Sequence, residues 1–147
     1  MFEIFLRQRV AFHQTDMAGI VHFTNLFKYV EEAEASFFRA LNLGPLERIW
    51  GAGHNGLGWV RLKAEMEFLS PARLDDLLLV HLWISEKKSR TLVFGTRISR
   101  REKVVAQGRI KTISVRMSGG GYSACRIPAR IAEALEVAPW GEEWPED

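Results

Sequence analysis

The sequence is notable first for what it lacks. Cys125 is the single cysteine among 147 residues, so an intrachain disulfide framework is excluded and a reducing compartment is favoured. No stretch approaches the roughly 20 apolar residues of a membrane span, and the early Glu3 without a long apolar run is unlike a signal peptide. Neither sign of charge dominates, since 20 basic and 18 acidic residues leave a net charge of +2. We therefore expect a cytoplasmic protein that binds neither nucleic acid nor membrane.

The overall composition is that of a chain that can bury a core. Hydrophobic residues make up 47% and charged residues 26%, which predicts one domain over residues 1–147. The end of the chain, 139–147, combines proline, tryptophan and acids and is expected to be loosely held. Glu31, Glu32 and Glu34 are too closely spaced for an obvious metal site, and no histidine lies at ligand spacing from them. We predict no metal.

One short segment carries the strongest chemical signal, namely the run TDMAGIVHFTN from Thr15 to Asn25. Gly19 can turn the backbone through positive φ at little steric cost. Thr24 or Asn25 can then cap a helix, since either side chain accepts a hydrogen bond from an unpaired N–H of the first turn. This order predicts that Asp16 lies near the positive end of a helix dipole, beside free backbone donors. Such a site can hold a carbonyl oxygen that gains negative charge during attack.

Hydrophobic periodicity predicts the secondary structure around this segment. The predicted elements are a strand over 2–13, a helix over 25–41, a turn and loop over 45–56, strands over 60–68, 77–85, 91–99 and 104–117, and a short helix over 128–137. The 60–68 strand has the clearest alternation, with Val60, Leu62, Ala64, Met66 and Phe68 on the inner face and charged residues between them. The 77–85 strand is apolar on both faces, which predicts a central position or a subunit contact.

The fold class follows from the helix. Its apolar residues recur as one stripe, formed by Leu26, Val30, Ala33, Phe37 and Leu41. A single helix cannot cover this stripe, whereas a sheet packed against it can. We therefore predict an α+β fold with an antiparallel sheet of about five strands wrapped around one long central helix.

The order of these features resembles a known family. The DMAGIV loop, an acid fifteen residues after Asp16, the strand end FLSPA at 68–72 and the basic hairpin at 86–90 are similar to those of hot-dog-fold acyl-CoA thioesterases. More narrowly, the sequence resembles the group that contains 4-hydroxybenzoyl-CoA thioesterase, the YbgC-type thioesterases and the 1,4-dihydroxy-2-naphthoyl-CoA hydrolases. The resemblance spans roughly residues 4–136. It is specific because the motif lies between a strand and a capped amphipathic helix.

The resemblance implies roles for particular residues. Asp16 matches the catalytic carboxylate, acting as nucleophile or as general base, and the backbone amide of Phe23 matches the donor to the thioester carbonyl. Glu31 matches a supporting acid. The YbgC type carries a histidine where this chain has Phe23, and His22 lies one position earlier, so packing or capping competes with a catalytic role for His22. Phe23 at this position favours a bulky aromatic acyl group.

The substrate contacts follow in the same way. Gly19, Val21 and Asn25 are predicted to contact the substrate, as is Trp59, for which core packing is an equal alternative. The resemblance assigns the coenzyme A phosphates to three cations of the hairpin, which are Lys87, Lys88 and Arg90. A rival basic patch consists of Arg100, Arg101 and Lys103. Coenzyme A enters only as part of the substrate, and no cofactor is expected.

The predicted function is hydrolysis of an acyl-CoA thioester by a homo-oligomer, either a dimer or a dimer of dimers. A thiolate is a good leaving group, so one acid and helix-end amides can suffice without a Ser-His-Asp set. The alternative is a non-catalytic acyl-CoA or acyl-carrier binding protein of the same fold. A dehydratase of this fold would need a histidine with a nearby acid in a different motif, which the sequence lacks.

Overall fold

The computed structural model describes residues 1–50 and 56–141. The strands are β1 (Glu3–Arg9), β2 (Leu57–Phe68), β3 (Leu77–Lys87), β4 (Thr91–Arg100), β5 (Lys103–Ser118) and β6 (Gly121–Ala124). The helices are α1 (Phe23–Ala40), α2 (Leu46–Ile49) and α3 (Ala129–Ala134), and a 3-10 turn covers Phe12–Gln14. Helix α2 lies in the segment predicted as turn and loop, whose residues 51–55 are outside the described part. Among the described helices, none combines the length and apolarity needed to cross a bilayer.

The strands form one antiparallel sheet in the order β1-β3-β4-β5-β2, with β6 paired to the far end of β5. The predicted antiparallel sheet is confirmed, and it has six strands rather than about five. The additional strand, β6, begins at Gly121, the last of three consecutive glycines. The central strand is β4. Strand β3, which is apolar on both faces, lies between β4 and the edge strand β1.

Helix α1 packs its apolar stripe against one face of this sheet. Leu26, Val30, Ala33 and Phe37 are buried as predicted, and the Phe37 ring meets Phe94 of β4 edge-on at 5.7 Å. Burial of each large side chain contributes about 1.5–3 kcal/mol, so this stripe fixes the helix on the sheet. The start of the helix, where the site lies, is thereby held beside the ends of β2 and β5.

Strand β2 departs from its predicted alternation. A bulge between Arg61 and Lys63 shifts its register against β5, and an inserted residue reverses which side chains face the core. Arg61 and Trp59 therefore face α1, where their contacts are to Glu34 and Phe38. Leu62, predicted to face the core, is 53% exposed. Beyond the bulge, Met66 packs against the core as predicted, whereas Ala64 and Phe68 are exposed.

The ends of several elements differ from the periodic prediction. β1 ends at Arg9, and Phe12 is 79% exposed in the 3-10 turn instead of completing the inner face of a strand. α1 begins at Phe23, two residues earlier than predicted, and α3 is shorter than the predicted 128–137 helix. Apolar spacing reports which face is buried, but it does not fix where a helix or strand ends.

The outer face of the sheet carries a second aromatic group. Trp140 packs edge-on against Phe2 at 5.5 Å and lies near Trp83 of β3. Ala138 is buried and its N–H donates to Ile84 O at 2.8 Å. The beginning of the predicted loose tail is therefore packed, while residues 142–147 lie outside the described part.

Candidate active site

A tight turn places Asp16 at the end of the 3-10 turn. The Gly19 N–H donates to Asp16 O at 3.0 Å, and the Asp16 N–H donates to Ile20 O at 2.9 Å. Gly19 has φ of +76°, a conformation that glycine adopts without the Cβ penalty of other residues. The predicted turn at Gly19 is confirmed, and it returns the chain toward the start of α1.

The Asp16 carboxylate is exposed and held by one oxygen. Its Oδ1 accepts a hydrogen bond from the Ala18 N–H at 2.8 Å. Within the described residues, Oδ2 has no protein partner and the carboxylate forms no ion pair. One oxygen therefore orients the group while the other is available to a ligand or to water.

The start of α1 supplies backbone donors beside this acid. The N-cap is His22, whose Nδ1 accepts from the Thr24 N–H at 3.3 Å. Thr24 and Asn25, the predicted caps, lie inside the helix instead. Among the residues that the structure describes, the Phe23 N–H has no acceptor. A free N–H at a helix start, together with the helix dipole, favours a developing negative charge.

A cleft of about 480 Å³ joins the acid to the helix start. It is lined by Asp16, Ile20, Val21, Phe23, Leu26, Phe68 and the 69–72 segment, together with Val105. The rings of Phe23 and Phe68 meet edge-on at 5.9 Å, and each residue is about half exposed, at 53% and 51%. The site is therefore a mostly apolar slot with one carboxylate at its wall.

Gln14, which the sequence analysis did not single out, connects the parts of this site. Its backbone oxygen accepts from the His22 N–H and from Asn25 Nδ2, both at 2.9 Å. Its side-chain Oε1 accepts from the Ala11 N–H at 2.8 Å and from the Tyr29 hydroxyl at 2.7 Å. Burial raises the pKa of Tyr29, which keeps it a donor. No periodicity or motif marks Gln14, because its role depends on partners up to 15 positions away.

The predicted contact residues divide into two groups. Val21 lines the cleft and donates its N–H to Ala72 O at 2.7 Å. Asn25 uses its side chain to hold Gln14. Trp59 lies away from the cleft, with Nε1 donating to Ile49 O at 2.9 Å and its ring packed on Phe38. Within the single chain, Trp59 therefore packs against other protein side chains, which was the alternative to a substrate contact.

Glu31 is also apart from the cleft. It is exposed, and its Oε2 lies 4.0 Å from Arg61 Nη2. One turn further along α1, Glu34 is buried beside the same arginine, and desolvation raises its pKa while Arg61 opposes that effect. Within one chain, Glu31 therefore does not line the cleft of Asp16, which it was predicted to support.

The basic hairpin lies at the other end of the sheet. Lys87 Nζ donates to Ala132 O at 2.8 Å and Leu135 O at 2.7 Å, so it holds the end of α3. Lys88 is exposed and lies 3.5 Å from Glu86, and Arg90 is exposed. Because β3 has 11 residues from Leu77 to Lys87, and each step along a strand is about 3.3 Å, this hairpin is about 33 Å from the end of the sheet that holds Asp16.

Comparison with known proteins gives this geometry a family. The sequence profile described as thioesterase superfamily matches residues 18–107, which is more than half of the chain. The chain belongs to the thioesterase superfamily. A protein of Aquifex aeolicus is 32% identical over 88% of this chain and 95% of its own length. The acyl-CoA thioesterase YbgC of Haemophilus influenzae is 27% identical over 86% of this chain and 90% of its own.

Solved structures agree with the fold. The 4-hydroxybenzoyl-CoA thioesterase from Pseudomonas sp. strain CBS-3 superposes with a TM-score of 0.82 at 23% identity, covering 92% of this chain and 100% of that one. The thioesterase superfamily member described here therefore has the hot-dog architecture, with its sheet packed around α1. It is a thioester hydrolase.

Proposed function

We propose that the protein hydrolyses acyl-CoA thioesters and that Asp16 is its catalytic carboxylate. The observation that carries this proposal is the single cleft shared by Asp16 and Phe23, at which one carboxylate oxygen and one backbone N–H are both unpartnered among the described residues. Relatives named as acyl-CoA thioesterases support the substrate class.

In this mechanism the thioester carbonyl oxygen accepts a hydrogen bond from the Phe23 N–H at the positive end of α1. Asp16 Oδ2 attacks the carbonyl carbon, the C–S bond breaks, and the coenzyme A thiolate leaves with the electron pair. Water then hydrolyses the mixed anhydride. Alternatively, Asp16 takes a proton from water, whose oxygen forms the new C–O bond. In both routes the helix-end donor stabilises the charge that develops on the carbonyl oxygen.

The slot favours an aromatic acyl group. Two half-exposed phenylalanines, Phe23 and Phe68, border the carboxylate, and an aromatic ring can stack on or meet them edge-on. An exposed apolar patch of this kind often marks a binding site, because a bound ligand removes the apolar surface from water. Relatives and solved structures include thioesterases whose names specify benzoyl and naphthoyl groups. We extend that substrate class to this chain as part of the proposal.

The assembly is proposed to be a dimer or a dimer of dimers. Strand β2 is an edge of the sheet with 12 residues, and Leu62 and Phe68 on it are about half exposed. Long edges with exposed apolar residues readily pair with another chain. Antiparallel pairing of two β2 strands would bring the hairpin, Trp59 and Glu31 of one subunit toward the cleft of the other. Sedimentation velocity should give a dimer or larger; a monomer at micromolar concentration would contradict this arrangement.

The test of the proposed function is the Asp16→Asn variant with a panel of acyl-CoA thioesters and detection of the free thiol. The parent enzyme should release thiol, fastest with benzoyl or naphthoyl substrates. The variant should bind the same substrates with a similar Kd while kcat falls by at least about a hundredfold. Glu133→Gln, which removes an exposed acid on α3 that does not line this cleft, is the control and should keep its kcat. Binding without turnover by the parent would instead identify an acyl-CoA binding protein.

A further inference from the structure

A second cleft lies on the outer face of the sheet, away from Asp16. Its volume is about 600 Å³. Arginines from two strands and from the turn after β4 converge on it: Arg7, Arg9, Arg100 and Arg101. The thioester mechanism uses none of these residues.

The sheet register explains why the arginines converge. Arg7 pairs with Leu79 and Arg9 with Leu77 across the β1 and β3 ladder, and directly paired residues point to the same face. Leu78 of β3 is fully buried against the α1 side, whereas Leu77 and Leu79 are 42% and 37% exposed. The arginines and the two leucines therefore share the outer face, with leucine side chains between the cations.

Two of the four guanidinium groups already have partners. Arg9 Nη1 donates to the backbone oxygen of Asp75 at 2.7 Å. Arg100 Nη1 lies 3.2 Å from Asp76 Oδ2, which also accepts from the Arg73 N–H at 2.8 Å. These contacts hold the wall of the cleft in place; the Asp76 carboxylate offsets the charge of Arg100, whereas the backbone partner of Arg9 leaves its charge unpaired.

The other two guanidinium groups, those of Arg7 and Arg101, have no partner among the described residues. Arg101 is also in the left-handed region, with φ of +54°, which is unusual for a residue other than glycine, asparagine or aspartate. The cleft thus holds four positive groups against two carboxylates. A concave surface lined mainly by one sign of charge concentrates counter-ions.

We infer that this outer-face arginine cleft binds the phosphate groups of a ligand that carries at least two of them. Guanidinium groups match phosphate oxygens in a forked arrangement, and the exposed leucines offer an apolar surface to whatever carries the phosphates. Two sources share this chemistry, namely the diphosphate of coenzyme A and a separate phosphorylated metabolite. The site itself does not depend on the proposed thioesterase mechanism, because phosphate binding can be measured without turnover.

The test is calorimetric titration of the full-length protein with inorganic pyrophosphate at low ionic strength. The Arg7→Gln/Arg101→Asn double variant should raise the Kd at least about tenfold; asparagine is chosen because it tolerates the backbone of Arg101. Asp75→Asn, which removes a negative charge at the cleft and also suits positive φ (66° at Asp75), should lower the Kd. Arg116→Gln removes an exposed arginine at the other end of β5 and should leave the Kd unchanged.

The KM for benzoyl-CoA in the double variant distinguishes the two sources of the phosphate groups, coenzyme A and a separate ligand. A raised KM with unchanged kcat assigns the cleft to the substrate's diphosphate, and an unchanged KM assigns it to a separate phosphorylated ligand. The inference is overturned if the parent does not bind pyrophosphate, if the double variant binds within twofold of the parent, or if Arg116→Gln weakens binding equally. None of these three results bears on Asp16, whose variant tests turnover.

Discussion

Arg61 of β2 and Glu34 of α1 form an ion pair beneath the edge of the sheet, with Nη1 and Oε2 2.5 Å apart. The Glu34 side chain is 1% exposed, so the acidic end of this ion pair is fully buried. Arg61 can reach it only because the β2 bulge turns its side chain toward the helix. The pair therefore links the register of the edge strand to the position of α1.

Loss of the Arg61 guanidinium should be strongly destabilising. Arg61→Met leaves a buried carboxylate without its counter-charge, and we expect the free energy of unfolding in urea to fall by about 2–4 kcal/mol, somewhat less than for a fully enclosed pair because Arg61 is 35% exposed. Glu34→Gln combined with Arg61→Met should recover part of this loss, since no charge is then buried. Lys63→Met on the same strand breaks only the exposed contact to Glu65 and should change stability by less than about 1 kcal/mol. Equal losses for Arg61→Met and Lys63→Met would argue against a structural role for the buried pair.

Labelled water can reveal a nucleophilic role for Asp16. A single turnover with excess enzyme in ¹⁸O-water should give unlabelled acid product if Asp16 is the nucleophile and water attacks its carboxyl carbon, because the transferred oxygen then comes from Asp16. Mass spectrometry of the peptide containing Asp16 should show the label there. Labelled acid together with unlabelled Asp16 would contradict attack at the Asp16 carboxyl carbon, because water then attacks the acyl carbon, either of the thioester or of the anhydride.

Gly108 of β5 should tolerate no side chain. A Cβ placed there would lie 2.0 Å from the backbone oxygen of Glu65 and 2.8 Å from Met66 Cα in β2, and a strand backbone cannot yield as a side chain can. Gly108→Ala should lower the free energy of unfolding by about 1–3 kcal/mol or more. Thermal unfolding measures this, with Gly121→Ala as the control because nothing lies within 4 Å of its added Cβ. Similar melting temperatures for both variants would show that β2 and β5 can separate at this point.

His81 on the outer face should make stability depend on pH. Burial lowers its pKa from the usual 6.5, Arg97 acts in the same direction, and the hydrogen bond and charge of Glu3 oppose them; the Nε2 to Oε2 distance is 2.8 Å. Below pH 6.5 the unfolded chain therefore binds more protons at this residue than the folded chain does. The stabilisation is complete above the unfolded pKa and is lost as pH falls through the folded pKa.

The measurement is the urea midpoint between pH 8 and pH 5 for the parent and for His81→Gln. The parent should lose more stability on acidification than the variant, and the exposed His13→Gln should follow the parent. If His81→Gln shows the same decline as the parent, other groups account for the acid sensitivity.

Much of the site's framework could be predicted from short-range pattern. The turn at Gly19 and the apolar stripe of α1 depend on neighbouring residues, and the structure has both. The chain could not reveal Gln14 as the residue that joins the 3-10 turn to α1, because its partners His22, Asn25 and Tyr29 are brought to it only by folding. Nor could it reveal that Lys87 holds the end of α3, since a charged hairpin has the same sequence whether or not a helix end lies beside it.

The sequence by itself determined the antiparallel class of the sheet, the helix it surrounds and the acid at the turn, because these depend on spacing along the chain and on local backbone preference. Only the tertiary structure decided which face of β2 meets the helix, that the basic hairpin lies at the opposite end of the sheet from Asp16, and that four arginines share an outer cleft. The first physical reason is that a one-residue bulge exchanges the inward-facing and outward-facing side chains on one side of it. The second is that charges far apart in the sequence meet only when the strand register brings them together.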